Sequence, residues 1–251
     1  MKSERVVGKL TRKKWKGSAP VQAASSSQTP PRSAASVEQS DNWSGYVITS
    51  WKKNAVRSIS GHWVVPRIRR SRTNTYSSAW LGIDGYRNSS LIQTGTGQDF
   101  VNGKPVYYPW WEILPAPETK INYPVSPKDH MYARISRISG SKWRIVLINK
   151  TKGWTFKKTV PYTGPATSAE WIIEAPSLNG QTTQLANYGK TAFRKSRVNG
   201  KNPLLKPSNR FIMVQNNQVV STPSLPNKKR DGFTVAYGSR LPKPQMRTRK
   251  K

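Results

Sequence analysis

Residues 169–176 read AEWIIEAP, and the parity of this run decides how the chain is built. Side chains alternate across an extended strand, so Glu170, Ile172 and Glu174 share one face while Trp171 and Ile173 share the other. At ~3.3 Å per residue, the Cα atoms of the two glutamates lie roughly 13 Å apart. They are not a close pair, and each needs its own explanation.

The same reading extends along the chain. PVYYPWWEIL (105–114) places Trp110, Glu112 and Leu114 on one face, opposite Trp111 and Ile113. Further strands are expected at 43–51, 56–65, 77–83, 131–138, 142–149, 154–160, 190–195, 211–220 and 232–238. Aromatic and β-branched residues fill these runs, and Gly, Pro, Asn and Ser punctuate them at roughly 8–12-residue spacing. No window sustains a helical apolar stripe. The expectation is all-β: a sandwich of two antiparallel sheets, jelly-roll or concanavalin-like, over residues 40–238. Before it, residues 1–39 read as a disordered basic, Ser/Pro-rich leader. After it, residues 239–251 read as a basic tail.

Composition narrows the chemistry. The chain has 251 residues, no cysteine and two histidines, His62 and His130. Disulfides, thiolate metal sites and a cysteine nucleophile are excluded, and no metal or other cofactor is expected. No run approaches the ~20 apolar residues of a membrane helix, and the basic N-terminus shows no apolar signal-peptide centre. The balance of 43 Lys+Arg against 11 Asp+Glu gives a net charge of +32, which suits nonspecific polyanion binding through the basic tails. With acids so scarce, those inside aromatic strands are candidates for a task. The plainer alternative is that they pair with the abundant cations.

LIQTGTGQDF (91–100) adds an amide to this set, because its Gln-Thr-Gly looks like the Asp-Thr-Gly turn of an aspartic peptidase with the carboxylate replaced. Five segments then occur in order: NWSGY (42–46), AWLGIDG (79–85), LIQTG (91–95), YYPWWEILP (107–115) and AEWIIEAP. Together they resemble the glutamic peptidases, the eqolisin family, and its bacterial branch more than its fungal one. The likeness spans about residues 41–238.

The resemblance implies an acid endopeptidase, pepstatin-insensitive, exported and acting on polypeptides as a monomer. Its catalytic glutamine falls at Gln93. Its catalytic glutamate falls at Glu174, with Glu170 the competing assignment. The substrate-lining residues match Trp43, Trp80, Asp84, Trp110 and Glu112. Tyr108 stands where fungal members carry an acid, and their disulfides are missing here. Fungal members also have basic leaders, so residues 1–39 could cover an acidic groove until acid releases them. A field of +32 should lower the pKa of Glu174, giving an optimum between about pH 2 and 4.5.

Two other readings stay open. Glu112 and Glu174 could serve an acid glycosidase, with Gln93 binding sugar. Alternatively, the aromatic strands could form a glycan- or polyanion-binding sandwich without catalysis.

Overall fold

The computed structural model describes residues 15–16 and 37–244. The rest of the expected leader and the end of the tail lie outside the described residues. Two sheets face each other. The back sheet contains β4 (Ser58–Val64), β9 (His130–Ser139), β10 (Lys142–Asn149) and β11 (Trp154–Pro161). The front sheet begins with β18 (Phe233–Tyr237), β17 (Gln218–Pro223), β16 (Arg210–Gln215) and β3 (Trp43–Thr49). It continues through β12 (Ser168–Glu174), β5 (Ser78–Asp84), β6 (Leu91–Val101), β7 (Lys104–Ile113) and the short β8 (Thr119–Lys120). Among the described residues there is no α-helix, and none could cross a membrane as one.

One strand joins the sheets. In β15 (Lys190–Val198), residues 190–193 pair with β18 in front, and residues 194–198 pair with β4 behind, with a register shift between Arg194 and Arg197. Pairing is antiparallel throughout these sheets except where β2 (Glu38–Ser40) lies parallel to β16. A separate small sheet sets β1 (Trp15–Lys16) against β13 (Ser177–Leu178), which also pairs with β14 (Gln181–Thr182).

Strand composition explains the layering. β4 and β10 alternate between buried and accessible positions, as sheets with one wet face do. β5 and β12 are buried at every position, so both of their faces are covered. Trp171 and Ile173 point into the main core with Leu81, Ile92, Ile59 and Trp63. The opposite face carries a second apolar cluster that includes Trp43, Trp80, Leu91, Trp110 and Ile172. Full burial of such side chains contributes about 1.5–3 kcal/mol each. The indoles of the main core also tie the sheets together: Trp171 Nε1 donates to the Ser60 carbonyl at 3.1 Å, and Trp63 Nε1 donates to Thr96 Oγ1 at 3.1 Å.

Three local expectations are corrected. The Gln-Thr-Gly segment is not a turn but lies inside β6, an eleven-residue strand. Its glycines accept close neighbours: a Cβ on Gly95 would sit 2.5 Å from Trp80 Cβ, and one on Gly97 would sit 2.4 Å from the Tyr108 ring. The run 211–220 is a hairpin, split by Asn216 and Asn217 at φ 51° and 60°. Two consecutive left-handed residues fit a primed hairpin turn, and asparagine tolerates that conformation. Finally, β3 stops at Thr49, which leaves Trp51 in a loop at 96% exposure.

Candidate active site

The outer face of the front sheet gathers the acids and the amide. Register defines two cross-strand rows there. One runs Trp43, Glu174, Ser78, Gly97, Tyr108; the other runs Val47, Glu170, Gly82, Gln93, Glu112. Between them lie Ile172, Trp80, Gly95 and Trp110.

Glu174 is 2% exposed and bound by indoles. Trp80 Nε1 donates to Oε2 at 2.8 Å, while Trp43 Nε1 reaches Oε1 at 3.4 Å and Asn42 Nδ2 reaches the same oxygen at 3.5 Å. Burial pushes its pKa up to about 8; Glu112 adds to the rise, and the Trp80 and Trp43 donors oppose it. This reverses the downward shift anticipated from net charge. Desolvation acts at the carboxyl itself, whereas charges more than about 10 Å away are largely screened.

Gln93 is equally buried, at 1% exposure. Its Nε2 donates to Glu112 Oε2 at 2.6 Å, and its Oε1 has no partner among the described residues. Gln93 and Glu174 make no direct hydrogen bond. Their backbones are four residues apart along the strands, roughly 13 Å, and two strands apart across the sheet, roughly 10 Å. Glu112 links them, bonded to the amide while its charge raises the pKa of Glu174.

Glu170 has a different environment. It is 0% exposed, neither carboxylate oxygen has a close hydrogen-bond partner among the described residues, and burial raises its pKa well above the usual range, with the nearby Ser168 hydroxyl offsetting part of the shift. Of the two glutamates in this strand, Glu174 is the one held by oriented donors.

The expected lining residues divide by position. Trp43 and Trp80 aim their N–H groups at Glu174, and Trp110 Nε1 donates to Ser78 Oγ at 3.0 Å. Asp84 serves the fold. Its oxygens accept from the Tyr162 hydroxyl (2.6 Å), Ala166 N (2.7 Å) and Thr167 N (2.9 Å), pinning the loop that leads into β12.

Sequence reasoning missed three participants. Asn42 stands beside the tryptophan of NWSGY, and its amide was the overlooked signal. Asp99 accepts from Tyr108 Oη at 3.0 Å, and burial lifts its pKa to about 7. Glu118 follows a proline-rich turn that carries no strand pattern. Burial raises its pKa well above normal, Lys120 opposes the rise, and Asp99, Glu112 and Glu174 add to it. Among the described residues, no group of three His, Cys, Asp or Glu could hold a metal.

The family profile described as Peptidase A4 family matches residues 41–237. Scytalido-glutamic peptidase with a transition state analog inhibitor matches at TM-score 0.66 and 21% identity, covering 80% of this chain and 100% of that one. SCP-B, a member of the eqolisin family of peptidases in a complex with a tripeptide, matches at 0.59 and 21%, over the same shares. Aspergilloglutamic peptidase from Aspergillus niger matches at 0.55 and 24%, over 65% of this chain and 99% of that one. No curated protein matches the chain. The structural likenesses agree with the sandwich described above.

Proposed function

The chain belongs to the peptidase A4 family and is a peptidase, and from that premise we propose an acid endopeptidase, exported and indifferent to pepstatin, working through Glu174 and Gln93. The observation that carries this reading is a buried carboxyl held by two indoles on the same sheet face as a buried amide with an unpartnered oxygen. In the proposed reaction, water attacks the peptide carbonyl and gives its proton to Glu174. Gln93 Nε2 donates to the carbonyl oxygen as negative charge develops there, a contribution typically worth about 2.7–4 kcal/mol. Glu174 then passes a proton to the leaving nitrogen, and the C–N bond breaks.

The raised pKa determines which form reacts in acid. With a pKa of about 8, the Glu174 carboxyl is neutral throughout the acid range. Its proton belongs on Oε1, where the contacts are long, and Oε2 faces the closer Trp80 donor. A neutral carboxyl can accept water's proton on Oε2 while giving its own from Oε1 to the substrate carbonyl, so both roles fit without prior ionisation. Activity should therefore be lost once Glu174 ionises, which puts the working range on the acid side of its raised pKa.

The test is hydrolysis of a denatured protein at about pH 3 with pepstatin present. Glu174→Gln should lose activity by about 10⁴-fold or more, and Gln93→Ala by about 10²–10³-fold, with both variants still folded by thermal melting. If either variant retains near-wild-type turnover, the dyad is wrong. Hydrolysis of xylan instead of protein would favour the Glu112/Glu174 glycosidase reading.

A second reading concerns the leader. The backbone of β1 pairs with β13, three residues beyond Glu174. That pairing supports an inhibitory segment lying beside the site. Deleting residues 1–36 should abolish any lag before activity on acidification, and an unchanged lag would refute it.

A further inference from the structure

The outer face of the back sheet has no part in the chemistry above, and its charges are arranged differently from the rest of the molecule. None of β4, β9, β10, β11 or β15 contains an aspartate or glutamate. Lys157, Val146, Arg134, Ser60 and Arg197 form one cross-strand row on this face, and Arg144 stands in the next row beside Ser136. At ~4.8 Å per strand the row spans roughly 19 Å. Arg197 is held by Asp231 at 3.0 Å. No carboxylate among the described residues pairs with Arg134, Arg144, Lys157 or Arg194. Asp129, the acid nearest Arg134 in sequence, is buried and taken up by Ser126 N at 2.9 Å and Asn149 Nδ2 at 2.7 Å.

Two further observations point to a ligand. On the same face, His62 lies against Tyr132 with ring centroids 4.8 Å apart. Burial lowers the pKa of His62 to about 4, with Lys150, Lys195 and His130 nearby adding to the shift. At the end of β9, the loop carrying the exposed Trp51 and its neighbours Lys52 and Lys53 is tied down, with Arg137 Nη2 donating to Asn54 Oδ1 at 2.6 Å. A tryptophan at 96% exposure, followed directly by two lysines, presents a free stacking surface next to a cationic sheet.

We propose that this face, with the Trp51 loop at its end, binds single-stranded nucleic acid, phosphates on the arginine and lysine grid and a base on the Trp51 ring. A sheet face with cations and an adjacent aromatic platform suits an extended, splayed strand. A duplex would call for an element that projects into a groove, and the described residues of this face supply none. Arginine keeps its charge at any working pH. The phosphodiester also stays ionised in acid, where a carboxylated polysaccharide would lose its charge.

The experiment is fluorescence anisotropy of a labelled oligothymidylate against the full-length protein over a salt series. Arg134→Glu, Arg144→Glu and Lys157→Glu combined should weaken binding by at least about 30-fold near 0.1 M salt and reduce the log–log salt slope by about 2. Trp51→Ala should weaken it by about 5–100-fold. Peptidase activity should survive in both, which shows that they fold; the combined Gln substitutions at the same three positions serve if charge reversal does not. A full-length variant with Arg12, Lys13, Lys14, Lys16, Arg247, Arg249, Lys250 and Lys251 changed to Gln should keep most of its affinity. Three results would overturn the proposal: binding lost with the tails and kept without the sheet cations, no binding at all, or retention only by phosphatidylglycerol vesicles.

Discussion

On the outer face of the front sheet, Glu170 and Glu174 are buried beneath a second apolar cluster and pushed toward the neutral form. On the outer face of the back sheet, Arg134, Arg144 and Lys157 stand in water, and no acid among the described residues pairs with them. Both faces belong to one molecule of net charge +32, yet that total governs only the second. Where apolar side chains cover a strand on both sides, desolvation decides the charge of an ionisable group. Where one side is wet, the group keeps its charge and bulk electrostatics apply. Net charge read from a sequence therefore describes surfaces and says little about a covered carboxyl.

The largest effects should come from perturbing the covered face. Trp80→Phe removes the 2.8 Å donor to Glu174, a loss expected to cost about 10–100-fold in kcat/KM if that donor orients the reacting carboxyl. The donor lowers the Glu174 pKa, so the alkaline limb of the pH–rate curve should move above about 8. Glu112→Gln should move the limb the other way, because Glu112 raises that pKa. Identical shifts in both variants would mean that the limb reports another group. Gly95→Ala should come next. Its methyl would meet the Ala79 carbonyl oxygen, in addition to Trp80 Cβ at 2.5 Å. We expect a loss of about 1–3 kcal/mol by thermal or urea unfolding, with activity falling further as Trp80 is displaced.

Much of this arrangement was legible in sequence. AEWIIEAP gave the facing of Glu170 and Glu174 because a period of two admits no other assignment in a strand. PVYYPWWEIL gave Trp110 and Glu112 a common face in the same way. LIQTGTGQDF was harder, since Gly and Thr at alternate positions resemble a turn. Only the close approach of Trp80 Cβ to Gly95 and of the Tyr108 ring to Gly97 explains why glycine stands inside that strand. The Asn216–Asn217 turn was hidden by apolar residues on both sides. Glu118 had no periodic context, and Asp84 looked like a site acid because its loop partners, Tyr162, Ala166 and Thr167, lie nearly eighty residues or more away. Pattern reveals facing; it does not reveal which donors fold back onto a carboxyl.

Glu170 offers a cleaner measure of coverage, because none of the indole donors that hold Glu174 reaches it. Its folded pKa is raised by burial, so the folded state resists ionisation that the unfolded chain undergoes above about pH 4.3. Its contribution to stability is complete below that value and is lost as pH rises through the folded pKa. Glu170→Gln removes this titration. Relative to wild type, the variant should be indistinguishable near pH 4 and higher in Tm by about 2–4 °C per kcal/mol by pH 8. A constant difference at all pH values would place the effect in packing instead.

The smallest effect belongs on the wet face. Arg197 pairs with Asp231 at 3.0 Å, with about a third of its side chain exposed, and Asp231 has a second partner in Asn227 at 3.1 Å. Exposed pairs are typically worth about 0.2–1 kcal/mol, and Asn227 keeps the carboxylate bonded when the guanidinium is removed. Arg197→Gln should therefore cost less than about 1 kcal/mol and leave hydrolysis unchanged. A cost of several kcal/mol would show that this corner of the back sheet is as covered as the front. A change in the pH–rate curve would show that the bend in β15, which joins the two sheets at Arg194, transmits charge between them, and the two faces could then no longer be treated as independent.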